Sequence, residues 1–157
     1  MSIKRVTAAL LTAALGLIAA HADAAIISVQ PAAGFRWNAD GLNGLQKADG
    51  KVQAGASTPV GNVWVTPIPL VNHVTTFNGR VHQGGVGGGS VHSRLVSFSA
   101  DGLFLGATTG SSASGFVDIG SQFVPNSGTL FIQSTFSNGC GMLGCTTASL
   151  NSARVTY

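Results

Sequence analysis

The chain has 157 residues with a formal net charge of +3, 22 glycines, 45% hydrophobic and only 8% charged side chains. Its five acidic residues are all aspartate (Asp23, Asp40, Asp49, Asp101, Asp118), which excludes paired-glutamate acid/base chemistry, and so few charges make a helical bundle improbable. The basic residues are spread thinly and form no patch, so nucleic acid is not an expected partner.

Met1–Ala24 reads as a secretory leader: Lys4 and Arg5 begin it, Val6–Ala20 is apolar, and Ala22-Asp23-Ala24 is a small-residue cleavage box. The apolar run is too short for a permanent membrane helix, and no other span is expected in residues 25–157. Those residues are expected to form a single domain, secreted or periplasmic. In an oxidising compartment Cys140 and Cys145, separated by Gly141-Met142-Leu143-Gly144, are read as a local disulfide in preference to a redox pair or a zinc site.

No capped segment of helical period follows the leader. Short β-rich runs alternate with turn signals instead. Ile26–Val29 and Phe35–Trp37 are candidate strands, and 39–57 reads as loop or irregular structure. Val63–Thr66 is a strand cut by Pro67 and Pro69, which suggest an edge or a bend. Val71–Phe77 ends at Asn78-Gly79, read as a hairpin turn. Val91–Ser99 is a strand turned by Ala100-Asp101-Gly102 into Leu103–Ala107. A loop at 108–115 leads to short strands at Phe116–Ile119 and Gln122–Val124. Pro125-Asn126-Ser127-Gly128 is a turn, with glycine in the left-handed position. Thr129–Phe136 is a buried strand, and Ser152–Tyr157 closes the chain. The expectation is an all-β antiparallel sandwich or jelly roll of about eight strands.

The tripeptide Ala-Asp-Gly recurs at 39–41, 48–50 and 100–102. It reads as a turn rather than a calcium loop, since the spacing is not that of an EF-hand and no bidentate glutamate exists. Serine and the histidines His73, His82 and His92 permit no nucleophile-elbow assignment, so no catalytic residue is named. The run Gly84–Gly89 lacks the ending of a phosphate loop and reads as a loop tip. Trp37 and Trp64 have polar neighbours and are either core residues or platforms for sugar rings, whose C–H faces stack on indole.

From Arg94 onward the order of features resembles the galactose-binding-like jelly roll of small galactophilic bacterial lectins. The corresponding stretches are Leu95–Ser99, Leu103–Ala107, Phe116–Ile119, Pro125–Gly128, Thr129–Thr135, the 137–149 loop and Ser152–Tyr157. Upstream, Gly79-Arg80-Val81-His82-Gln83 is similar to the family segment whose His and Gln hold the sugar. The resemblance implies sugar binding through His82 and Gln83, beside Arg80. The family's calcium-binding positions fall near Thr135, Ala148 and Ser149, which offer no carboxylate, so no metal or other cofactor is assigned. The disulfide loop is expected to act as the local staple instead.

The leading expectation is therefore a non-enzymatic binding module for a glycan or another surface component, with Arg80, His82, Gln83, Trp37 and Trp64 as its candidate contacts. A structural or assembly protein of the cell envelope, packing as a homo-oligomer, is the alternative. A small outer-membrane barrel is a minority reading, since one Tyr and two Trp make a poor aromatic girdle.

Overall fold

A computed structural model describes residues 25–37, 45–54, 62–70, 76–85, 89–125, 127–137, 140–141, 144–145 and 147–157. The leader, the Ala39-Asp40-Gly41 tripeptide, Val71 and His73, Val86-Gly87-Gly88 of the glycine run and Asn126 lie outside them. The strands in chain order are β1 (Ile26–Val29), β2 (Phe35–Arg36), β3 (Leu45–Ala48), β4 (Lys51–Ala54), β5 (Asn62–Ile68), β6 (Thr76–Gly85), β7 (Ser90–Phe98), β8 (Phe104–Ala107), β9 (Gly115–Phe123), β10 (Thr129–Ser137), β11 (Cys140–Gly141), β12 (Gly144–Cys145) and β13 (Ala148–Thr156). One 3₁₀ turn, Pro31–Ala33, links β1 to β2.

Two antiparallel sheets form a sandwich. The first has the order β3-β4-β13-β6-β9, with β1 also on β13. The second has the order β2-β5-β10-β7-β8, and β11-β12 is a separate two-residue ladder. Strand alternation builds the core: Phe77, Val81, Leu130, Ile132, Phe136, Leu150 and Val155 all point between the sheets at 1% exposure or less. The outer face of the first sheet carries Arg80, Asp118 and Arg154, the reverse of a barrel whose outer surface meets lipid.

Two bulges change which residues of their strands face inward. On β13 the register shifts between Leu150 and Ser152, so inward residues change from Ala148 and Leu150 to Ala153 and Val155. On β9 the shift opposite Gly79/Arg80 changes the inward phase after Ile119, and Gly120 takes φ 94° there. Each extra residue reverses the parity of everything beyond it. The expected strands at 116–119 and 122–124 are thus one bulged strand.

Four expectations need correcting. Residues 45–54, inside the stretch read as irregular, form the β3–β4 hairpin. Asp49 (φ 51°) and Gly50 (φ 76°) make its two-residue turn, with Val52 and Ala54 buried beneath it. Asn78-Gly79 is not a turn but lies within β6. The glycine is there for space, because a Cβ would come within 2.8 Å of Ile119 Cγ1 and 3.0 Å of Leu95 Cδ2. Gly128 likewise serves close approach rather than positive φ, since an added Cβ would meet the Phe98 carbonyl oxygen at 2.6 Å. Pro67 does not end β5 but sits inside it. The adjoining β2 reaches only Val65 and Trp64, so β5 is the sheet edge at the proline.

Candidate functional site

On the outer face of the first sheet, antiparallel pairing aligns side chains from β9, β6 and β13 in cross-strand rows. One row reads Phe116, His82, Ser152; the next reads Asp118, Arg80, Arg154 and, on β1, Ser28. Phe116 is 62% exposed and stacks on His82, with ring centroids 4.3 Å apart and an interplanar angle of 15°. The Arg80 Nε lies 3.6 Å from an Asp118 carboxylate oxygen.

Beside these rows the sheet leaves a gap. Strand β4 pairs β13 at Ser149 and Leu150, and β1 pairs it at Ala153–Thr156. Asn151 and Ser152, at the bulge, have no strand on that side. The gap opens into a cleft of about 430 Å³, bounded by Gln30 and Pro31 of the 3₁₀ turn region, Asp49 and Gly50 of the hairpin turn, and Arg80, His82, Phe116, Asn151, Ser152 and Arg154. That volume falls in the range of small-ligand sites. The cleft combines an open aromatic face with amide, hydroxyl, carboxylate and guanidinium groups, which together can accept and donate hydrogen bonds around a ring of hydroxyls.

The residues nominated from sequence are divided among three places. His82 and Arg80 line the cleft. Gln83 does not: as the next residue of the same strand it points the other way and is 1% exposed. Its amide nitrogen donates to the carbonyls of Ser111 (3.0 Å) and Ala113 (2.9 Å), and its oxygen accepts from Ser93 Oγ (2.7 Å). Ser93 in turn meets Ser134 Oγ at 2.8 Å, completing a buried polar chain across both sheets.

Trp64 is 4% exposed, and its indole N–H donates to the Pro31 carbonyl at 2.8 Å, with the Lys47 ammonium 4.9 Å from the ring centre. It anchors the 3₁₀ turn and is a core residue. Trp37 is 54% exposed but belongs to the other sheet, where it stacks on Phe98 at 6.3 Å beside Phe131. The two indoles therefore share no surface with each other, and neither shares one with His82.

Sequence reasoning missed Phe116, Asp49, Asn151, Ser152 and Arg154 as lining residues. The alternation Phe116-Val117-Asp118 signalled an outward-facing pair on β9. Nothing in the sequence signalled the others, because their convergence depends on strand pairing and a bulge.

Away from the cleft, the described residues assemble no catalytic or metal site. His92 Nδ1 lies 2.8 Å from Ser112 Oγ, but among the described residues no carboxylate bonds to either, so no triad is assembled. Among the same residues no three His, Cys, Asp or Glu side chains gather as a metal site. In the β11–β12 ladder Cys140 stands directly opposite Cys145.

No protein-family model matches the chain, and no curated protein matches it. Among solved structures it is similar to the GH26-CBM35 β-(1,4)-mannanase of Podospora anserina, at 13% identity and a TM-score of 0.48, over 83% of this chain and 27% of that one. The chain thus spans about a quarter of that protein's length. By its own geometry it is an all-β sandwich of two antiparallel sheets with a polar cleft on one outer face.

Proposed function

We propose that this chain is an exported, non-enzymatic carbohydrate-binding module of the galactose-binding-like kind, and that it holds its glycan in the cleft beside Phe116. The supporting observation is the exposed Phe116 ring, steadied from one side by His82 and bordered by Asn151, Ser152, Asp49 and Arg80. A pyranose offers an apolar C–H face and a rim of hydroxyls, and this surface is complementary to both. The reading assigns no catalytic residue.

A glycan array is expected to return at least one ligand. Phe116→Ala is then expected to weaken it about tenfold, or roughly 1.4 kcal/mol, with little change in thermal stability because the ring is mostly exposed. An array without any bound glycan would remove this function.

Export also suggests the state of the cysteines. Residues directly opposite in an antiparallel pair have Cα atoms about 4.5–5.5 Å apart, a spacing suited to a disulfide. The register of Cys140 and Cys145 therefore supports a bridge. Two titratable thiols in protein purified from its native compartment would contradict it.

One observation favours a second reading, an envelope assembly protein. The outer face of the second sheet gathers Trp37, Phe98, Phe104 and Phe131 in edge-to-face and stacked contacts, and Trp37 and Phe104 are more than half exposed. Sizing at increasing concentration separates the two readings, since a strict monomer speaks against assembly.

A further inference from the structure

The row Asp118–Arg80–Arg154–Ser28 on the outer face of the first sheet is unbalanced in charge. Arg80 and Arg154 are direct cross-strand partners on β6 and β13, and like charges so placed destabilise a sheet. One carboxylate, Asp118, adjoins them. It reaches Arg80 only, from the far side, at 3.6 Å, which is beyond hydrogen-bond length. The Arg80 Nε is shielded from solvent and has no hydrogen-bond acceptor. Among the described residues Arg154 forms no ion pair, and its other strand neighbour is the uncharged Ser28. Both guanidinium groups border the 430 Å³ cleft on one side and a second hollow of about 220 Å³ on the other. An acceptor set between them would relieve the repulsion.

We infer that Arg80 and Arg154 form a reader for an acidic group, so that the glycan of the cleft is an anionic polysaccharide carrying carboxylate or sulfate. The inference rests on the carbohydrate reading and narrows it. Guanidinium forks match the oxygen spacing of both groups and bind them more strongly than neutral hydroxyls. Asp49, the carboxylate lining the same cleft, accepts from hydroxyls and repels an acid, which sets the ligand's orientation.

The test is calorimetric titration of the full chain with tetragalacturonate and with its fully methyl-esterified form, which shares the backbone without the charge. Dextran sulfate and plain dextran make the parallel pair. The acidic member of at least one pair is expected to bind tenfold or more tightly than its neutral counterpart, with a margin that shrinks as salt is raised. Preference within the first pair identifies the group as carboxylate, and preference within the second as sulfate.

Arg154→Gln is expected to abolish the margin while leaving the melting temperature unchanged or higher, because it relieves the Arg–Arg repulsion. Phe116→Ala is expected to weaken acidic and neutral ligands alike. Equal binding of acidic and neutral members overturns the charge inference and leaves sugar binding intact. A lower melting temperature for Arg154→Gln with the margin preserved would show a structural arginine and also overturn it. If no member of either pair binds while the array returns a neutral glycan, the charge inference again fails alone. An empty array removes both.

Discussion

Gln83→Leu is expected to lower the free energy of unfolding by about 2–4 kcal/mol while leaving any ligand affinity unchanged in protein that is still folded. The substitution keeps the side chain's approximate volume but removes two donors and an acceptor. The Ala113 carbonyl then loses the Gln83 amide, the Ser111 carbonyl keeps only the Ser93 N–H, and the Ser93 hydroxyl keeps only Ser134. Polar groups weakened in this way cost about 1–3 kcal/mol each where they are shielded, which applies to the buried Ser93 and half-buried Ser111, while water restores a partner to the exposed Ala113 and holds the sum to the lower part of its range. Urea denaturation measures the loss as a lower midpoint at unchanged slope. A variant as stable as the parent but unable to bind glycan would return Gln83 to the binding surface and refute its structural role.

Gly110→Ala is expected to cost about 2–5 kcal/mol, from left-handed strain of about 1–2 kcal/mol and overpacking of about 1–3 kcal/mol. Gly110 has φ 74°, and a Cβ there would press on the Ser93 carbonyl oxygen and come within 2.8 Å of Arg94 Cβ and 2.9 Å of His92 Nε2. Relief requires the chain around Ser111 to lift from β7, breaking the reciprocal backbone bonds between Ser93 and Ser111 (3.0 and 2.9 Å). Amide exchange at Ser111 is therefore expected to accelerate more than exchange at Ile132 in the centre of β10. The same lifting withdraws the acceptors of the Gln83 amide. The double variant is accordingly expected to be less destabilised than the sum of the two single ones. Strict additivity would mean that the two residues hold separate parts of the fold.

Turn signals and β-rich composition made much of the sandwich legible. Val91–Ser99 and Thr129–Phe136 are read correctly because runs rich in β-branched and aromatic residues are bounded by turns, although Ser93, Ser97 and Ser134 take inward places, and Asp101-Gly102 turns as its φ tolerance predicts. The β3–β4 hairpin is obscured because only Val52 and Ala54 of its second strand show a buried face among Lys and Gln. Asn78-Gly79 misleads because the same dipeptide suits a turn and a place where a neighbouring side chain needs room. In this chain Ile119 and Leu95 take the room.

The site was legible only in part, for a reason of parity. His82 and Gln83 are neighbours in one strand, so a sheet with a filled interior can expose only one of them. Phe77, Gly79 and Val81 fix the inward phase and place Gln83 inside with them. Trp37 and Trp64 differ for a comparable reason: the first follows the end of β2, and the second stands on the inward face of β5. The remaining cleft residues come from the 3₁₀ turn region, the hairpin turn and the β13 bulge, which only the strand order of the folded chain brings together.

A heteronuclear NMR titration with the strongest glycan from the array tests most directly where ligand sits. The backbone amides of His82, Phe116, Asn151, Ser152 and Gly50 are expected to shift together, with the Trp37 indole N–H unmoved on the opposite sheet. Shifts confined to the Trp37 indole and its neighbours Phe98 and Phe131, with the cleft amides silent, would contradict the assignment of binding to the first sheet.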